Sequence, residues 1–183
     1  MFWLLLLLGI GLWVAAHSFK RWSPIRREAM GQKGKGLVAL AIAAGIVLMI
    51  IGYRGTPFIT VWTPPSFLTH LNNLLVLLAF FLMSPAPKKG KLFNFMRHPM
   101  LTGFGLWAFA HLLVNGDLAS ILLFGGLLVW SAYAAQLVNR AEPGWVPGPK
   151  GKLAWDLRGF AGAVVLLVVV GYIHSWLGPW PFG

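Results

Sequence analysis

Polar residues are scarce along this chain, and their positions cut it into six apolar stretches. These lie near 2–19, 37–54, 67–84, 99–115, 118–138 and 159–177. None carries the sustained polar face that an amphipathic helix of a soluble domain would show. A bilayer core of about 30 Å is crossed by about 20 helical residues, so each stretch predicts a transmembrane helix. The punctuation agrees with the cuts. Thr63-Pro64-Pro65-Ser66 precedes the third stretch, Pro85 and Pro87 follow it, and Pro99 opens the fourth. Asn115-Gly116 turns into the fifth. The segment 142–149 holds Pro143, Pro147 and Pro149 and cannot be helical throughout. The expected architecture is an all-α integral membrane protein, one domain over 1–183, built as a bundle of six transmembrane helices.

Charge placement turns this count into an orientation. Of the 15 Lys and Arg residues, six fall in 20–36, four in 85–98 and four in 139–158. With six spans these three loops share one side, which the positive-inside rule makes cytoplasmic. Both termini are then outside, and a bacterial inner membrane is the expected location. Lys20 and Arg21 follow the first apolar run, which lacks a basic leader before it, so this run reads as a retained span. Arg54 alone stands on the outer side. It reads either as a snorkelling helix-end anchor near Asp117 or as a clamp for an acidic ligand group.

Composition narrows the function classes. The chain is 58% hydrophobic and 10% charged, too oily for a soluble domain of 183 residues. Its net charge of +11 is confined to loops, where anionic lipid rather than nucleic acid is the natural partner. Cysteine is absent, which excludes disulfides, thiolate metal sites and cysteine nucleophiles. No Asp, Glu or Lys sits in mid-span, which argues against a proton relay or an ion-coupled transporter.

Histidine is the ionisable residue the spans do contain. His17 is at the inner end of span one, and His98 is at the inner mouth of span four, between Arg97 and Pro99. His70 and His174 lie near outer ends, where they read as interface residues. His111 lies 12 residues past Pro99, about 18 Å along the helix, among apolar neighbours. An imidazole there needs a donor and an acceptor contact, from a partner helix or a metal. Without cysteine or carboxylate nearby, haem suits the site better than bare zinc. GLWVAAH (11–17) and GLWAFAH (105–111) share five of seven residues and put Trp13 and Trp107 one turn before a histidine. Gly103 extends the second stripe, leaving room for a flat ligand or for a close helix. Spans two and five, and three and six, share nothing comparable, so the repeat is not read as a duplication.

These residues carry a resemblance. His17-Ser18 ends a span, Trp62-Thr63-Pro64-Pro65 precedes span three, Arg97-His98-Pro99-Met100 opens span four, Leu106 to Gly116 closes it, and His174 ends the last span. Together they resemble the NnrU family, bacterial membrane proteins associated with denitrification genes and related to the plant 15-cis-zeta-carotene isomerase. The resemblance implies haem b, with iron held by the histidines corresponding to His17 and His111, and a role in activity for His98 beside Arg97. It implies either a haem-dependent cis–trans isomerase acting on a hydrophobic polyene or a redox or nitric-oxide-linked component. Ala108 replaces the cysteine of the plant enzyme, so thiol ligand switching is absent here. His17 and His111 differ in expected depth by about 10 Å, which requires a tilted or flat haem. His70 with His111 is the competing pair, with Arg54 available to propionates. Two other readings stand beside this one. Arg97-His98-Pro99-x-x-x-Gly103 is similar to the Arg-His-Pro-x-Tyr-x-Gly stretch of membrane methyltransferases that use S-adenosylmethionine, although Leu101 replaces the tyrosine. The third reading is a non-catalytic membrane assembly factor whose histidines only pack helices.

Overall fold

The computed structural model describes residues 1–182, and among these it is all-helical with no strand. In chain order the helices are α1 (Phe2–Trp22), α2 (Pro24–Ala29), α3 (Gly31–Gly55), α4 (Leu68–Met83), α5 (Ala86–Lys89), α6 (Pro99–Val114), α7 (Leu118–Ala141) and α8 (Leu153–Leu177). Four of them, α1, α3, α7 and α8, are long and apolar enough to cross a membrane. The other two helices on apolar stretches, α4 and α6, have 16 residues each, about 24 Å of helix.

The helix ends show why hydropathy and helix length differ. The run 37–54 predicts the lipid-facing part of α3, yet the helix begins at Gly31 and includes Lys33 and Lys35. Lys and Arg are good helix formers, so charge ends a span without ending a helix. The same effect carries α1 to Trp22 and α7 to Ala141 and starts α8 at Leu153. The basic loops expected at 20–36 and 85–98 also contain the short helices α2 and α5.

The helices pack side by side in the order α3, α1, α7, α6, α4, α8. Small residues make this possible. A Cβ on Gly9 of α1 would lie 2.7 Å from the Met49 backbone nitrogen of α3, and one on Gly103 of α6 would lie 2.7 Å from the Ala79 carbonyl oxygen of α4. Backbones this close gain dispersion contact, the main source of helix association where the hydrophobic effect is weak. Leu6, Met49, Ala108, Phe124 and Leu127 form the central buried cluster, while Phe81, Leu82, Ala86 and Ala163 form a second one toward α8. Rows of Val and Leu on α8 stay exposed, as a lipid-facing surface requires.

Hydrogen bonds tie the connections together at two separate ends. At one end are the three basic loops. Arg21 pairs with Glu142 at 2.8 Å, Asn94 Nδ2 donates to the Gly148 carbonyl, and the Gly151 N–H donates to Gly90. At the other end the Val61 and Trp62 N–H groups donate to the Gly116 carbonyl, the Leu118 N–H donates to Ile59, and Arg54 Nη2 donates to the Leu177 carbonyl at 2.9 Å.

Two buried aspartates each fasten one end. Asp156 accepts from the Lys91 and Leu92 N–H groups at 2.6 and 3.4 Å at the basic end. Asp117 caps α7 at the other end, accepting from the Ser120 N–H at 3.0 Å and its hydroxyl at 2.5 Å. Arg54 is therefore an anchor on the last carbonyls of α8, where a helix dipole favours a cation.

Candidate functional site

Both Trp-x-x-x-His stretches fold the same way locally. His17 Nδ1 lies 2.9 Å from the Trp13 carbonyl, and His111 Nδ1 lies 2.9 Å from the Trp107 carbonyl. A carbonyl only accepts, so Nδ1 carries the proton in both rings and Nε2 holds the lone pair. This tautomer leaves Nε2 as the ring atom that can accept a hydrogen bond or bind a metal. Neither Nε2 has a protein partner among the described residues.

The two rings are not brought together. His111 lines a cavity of about 280 Å³ near the Arg54 end, walled by α4, α6, α8 and residues 179–182. His17 lines another of about 450 Å³ near the basic end, between α1, α6 and α7. A continuous aromatic stack separates them: His17 to Trp13 at 4.1 Å, Trp13 to Phe104 at 5.7 Å, Phe104 to Trp107 at 5.4 Å, and Trp107 to His111 at 4.9 Å between ring centroids. One haem touching both histidines would need the space that Phe104 and Trp107 fill.

His174 joins His111 instead. It lines the same cavity from α8, with Nδ1 donating to the Pro179 carbonyl at 3.0 Å and Nε2 unpartnered among the described residues. Asn72, Asn73 and Asn115 add amides, and Trp107, Trp180 and Phe182 add flat apolar walls. Asn73 Nδ2 holds the Pro181 carbonyl at 2.9 Å, which draws segment 179–182 over the cavity. Asn72 is 7% exposed and its Oδ1 has no partner. An unsatisfied buried acceptor beside a cavity points to a missing donor there.

The remaining candidates have other surroundings. His70 is exposed in the first turn of α4 and does not line the His111 cavity, although its neighbours Thr69, Asn72 and Asn73 do. Gly103 touches neither cavity, because the space beside it belongs to α4. His98 Nε2 meets Asn139 Oδ1 at 2.8 Å, and Arg97 donates to the Glu142 carbonyl. The Arg-His-Pro motif thus holds the start of α6 against the end of α7. His174, expected at the membrane interface, thus lines the cavity instead, and the Asn72-Asn73 pair joins it without any motif to mark it. Adjacent amides inside an apolar run were the available signal, because membrane physics does not ask for them.

Among the described residues no three His, Asp or Glu side chains gather to hold a bare metal ion. Two imidazoles with free Nε2 atoms line one cavity of mixed apolar and amide character, and a haem needs one or two such donors from the protein.

The fold and site define a membrane-type protein, all-helical over the described residues, with imidazoles lining two separate cavities. The family model described as NnrU protein matches residues 5–181, and the chain belongs to that family. No curated protein and no solved structure matches it.

Proposed function

We propose that this NnrU family protein crosses the bacterial cytoplasmic membrane six times, with its basic loops inside and both termini outside, and binds haem b through His111 and His174. The observation that carries the haem reading is the pairing of two imidazoles on one cavity, each with Nδ1 held by a backbone carbonyl and Nε2 free. The six-span reading draws on the joining of all three basic loops at one end. In it α4 and α6 cross with the help of the non-helical segments before and after them. Arg54, the one Lys or Arg outside the basic loops, is held on the Leu177 carbonyl and does not line the His111 cavity.

Bound there, haem supplies a redox-active iron. The residues around it supply flat aromatic walls from Trp107, Trp180 and Phe182 and amide groups that orient a ligand. This suits a hydrophobic small molecule, so haem-dependent polyene isomerisation and a redox or nitric-oxide-linked step both stay within the reading. Arg97 and His98 are engaged in helix ties, and this favours haem over the methyltransferase alternative.

An absorption spectrum tests the proposal. Protein purified from haem-replete cells should show a Soret band that His111→Ala abolishes. His174→Ala should convert a six-coordinate low-spin spectrum into a five-coordinate high-spin one. Protein that stays colourless and takes up no added hemin overturns the haem reading. A low-spin spectrum that survives His174→Ala but not His17→Ala restores the His17–His111 pair.

A further inference from the structure

We propose that the inner cavity is a second, separate site that takes an amphiphile with an anionic carboxylate head and a long acyl tail. The inference is independent of the haem reading, because the two cavities share no lining residue.

Four polar groups around this cavity lack partners: the Ser18 hydroxyl, the indole N–H groups of Trp13 and Trp130, and His17 Nε2. The Ser18 hydroxyl is unpartnered in a residue only 2% exposed. The indole N–H groups of Trp13 and Trp130 are also buried and unpartnered. Trp13 and Trp130 meet edge to face, as do Phe104 and Trp130, at interplanar angles of 80° and 86°. Such packing offers an indole N–H at best a ring face, a weak acceptor. Ser18 lacks even that. In this structure the buried hydroxyl is left unsatisfied beside an open volume that it lines. A carboxylate oxygen is an acceptor to which the Ser18 hydroxyl can donate, and its negative charge suits Arg21 on the same wall.

Charge fixes the sign of the head. Arg21 lines the same cavity, and its own pairing with Glu142 is solvent-exposed, so the guanidinium can turn inward at little cost. Lys20, Arg97 and Arg140 belong to the same end of the bundle. Apart from His17 and the two indoles, the rest of the wall is apolar and includes Met83, Met100, Leu101, Phe104, Leu137 and Val138. Methionine side chains adapt to a flexible chain better than branched ones. A carboxylate at Ser18 and Arg21 with its tail along the methionines satisfies both halves of the wall.

The test uses the whole protein in zwitterionic nanodiscs with 11-(dansylamino)undecanoic acid as probe, read by energy transfer from tryptophan. The expected result is saturable transfer, displaced by oleate and at least tenfold less well by oleyl alcohol. Ser18→Ala removes a hydroxyl that bonds to nothing, so it leaves the fold intact and should weaken the probe fivefold or more. Arg21→Gln should do the same, while His111→Ala should leave binding unchanged and so separate this site from the haem cavity. Non-saturable transfer, or affinity unchanged in both Ser18→Ala and Arg21→Gln, overturns the proposal. Displacement by phosphatidylglycerol and not by oleate also overturns it, and assigns the cavity to a bilayer phospholipid.

Discussion

The two ends of the bundle start from nearly the same seven residues and arrive at different sites. GLWVAAH and GLWAFAH make the same i−4 carbonyl bond to Nδ1 and leave the same Nε2 free. What differs is the company brought by other helices. His111 is half-buried and meets His174 and three asparagines. His17 is exposed and meets Trp130, Ser18 and Arg21. A short motif therefore fixes ring tautomer and direction, while tertiary neighbours decide what the ring can bind.

The largest break in this comparison comes from a residue that belongs to neither end. Gly103 holds α6 against α4, and α6 carries the ring stack that divides the cavities. Gly103→Val places branched carbon against the Ala79 carbonyl. Overpacking costs about 1–3 kcal/mol where side chains can yield, and backbone yields less. The expected result is loss of monodisperse protein on gel filtration, with both sites lost together. Survival of either site alone would show that the ends are built independently of α6.

A narrower break removes one imidazole at a time. His111→Ala should abolish the Soret band while leaving fatty-acid binding intact, and His17→Ala should leave the Soret band in place. Equal loss of the band in both variants would return the two rings to a single site.

The legibility of the sequence follows the same division. The six helices on apolar stretches were readable because lipid demands continuous apolar length, which a single chain displays. The joining of the basic loops followed from charge counts for a similar reason. The pairing of His111 was not readable. Depth along one helix can be counted from Pro99, but rotation and neighbour order depend on which small residues meet. Gly9 against Met49 and Gly103 against Ala79 are contacts between segments far apart in the chain. Family resemblance gave weight to His17 and His111, whereas cavity geometry gives it to His174, which no local pattern distinguished from an interface residue.

The two buried aspartates sharpen the comparison next. Asp156→Ala frees two backbone N–H groups at the basic end. Hydrogen bonds to a charged group contribute about 1.5–3 kcal/mol, so the loss should be about 2 kcal/mol. Asp117→Ala removes an N-cap at the opposite end, typically about 1 kcal/mol. Thermal unfolding in nanodiscs checks both, with the larger fall in midpoint expected for Asp156→Ala. The His17-side probe should lose affinity in that variant before the Soret band changes, and the reverse order should hold for Asp117→Ala. Identical patterns would mean that the ends melt as one unit.

The smallest expected effect belongs to Glu142, the exposed partner of Arg21. The hydrogen bond from Arg21, followed by that residue's charge and those of Arg97 and Lys20, holds the Glu142 carboxyl below its ordinary value. A carboxyl lowered on folding adds stability above its unfolded pKa, about 4.3, and that contribution fades as pH falls through the folded value. Glu142→Ala should therefore unfold slightly earlier than the parent at pH 7, with the two curves converging below about pH 4. Arg97 donates to the Glu142 backbone carbonyl, not to the side chain, so that tie survives the substitution and the difference isolates the Arg21 pair. The pair is solvent-exposed, and such pairs contribute little. A gap at pH 7 that persists unchanged at pH 3 would show that Glu142 acts through packing, and that Arg21 is already free to turn toward the inner cavity.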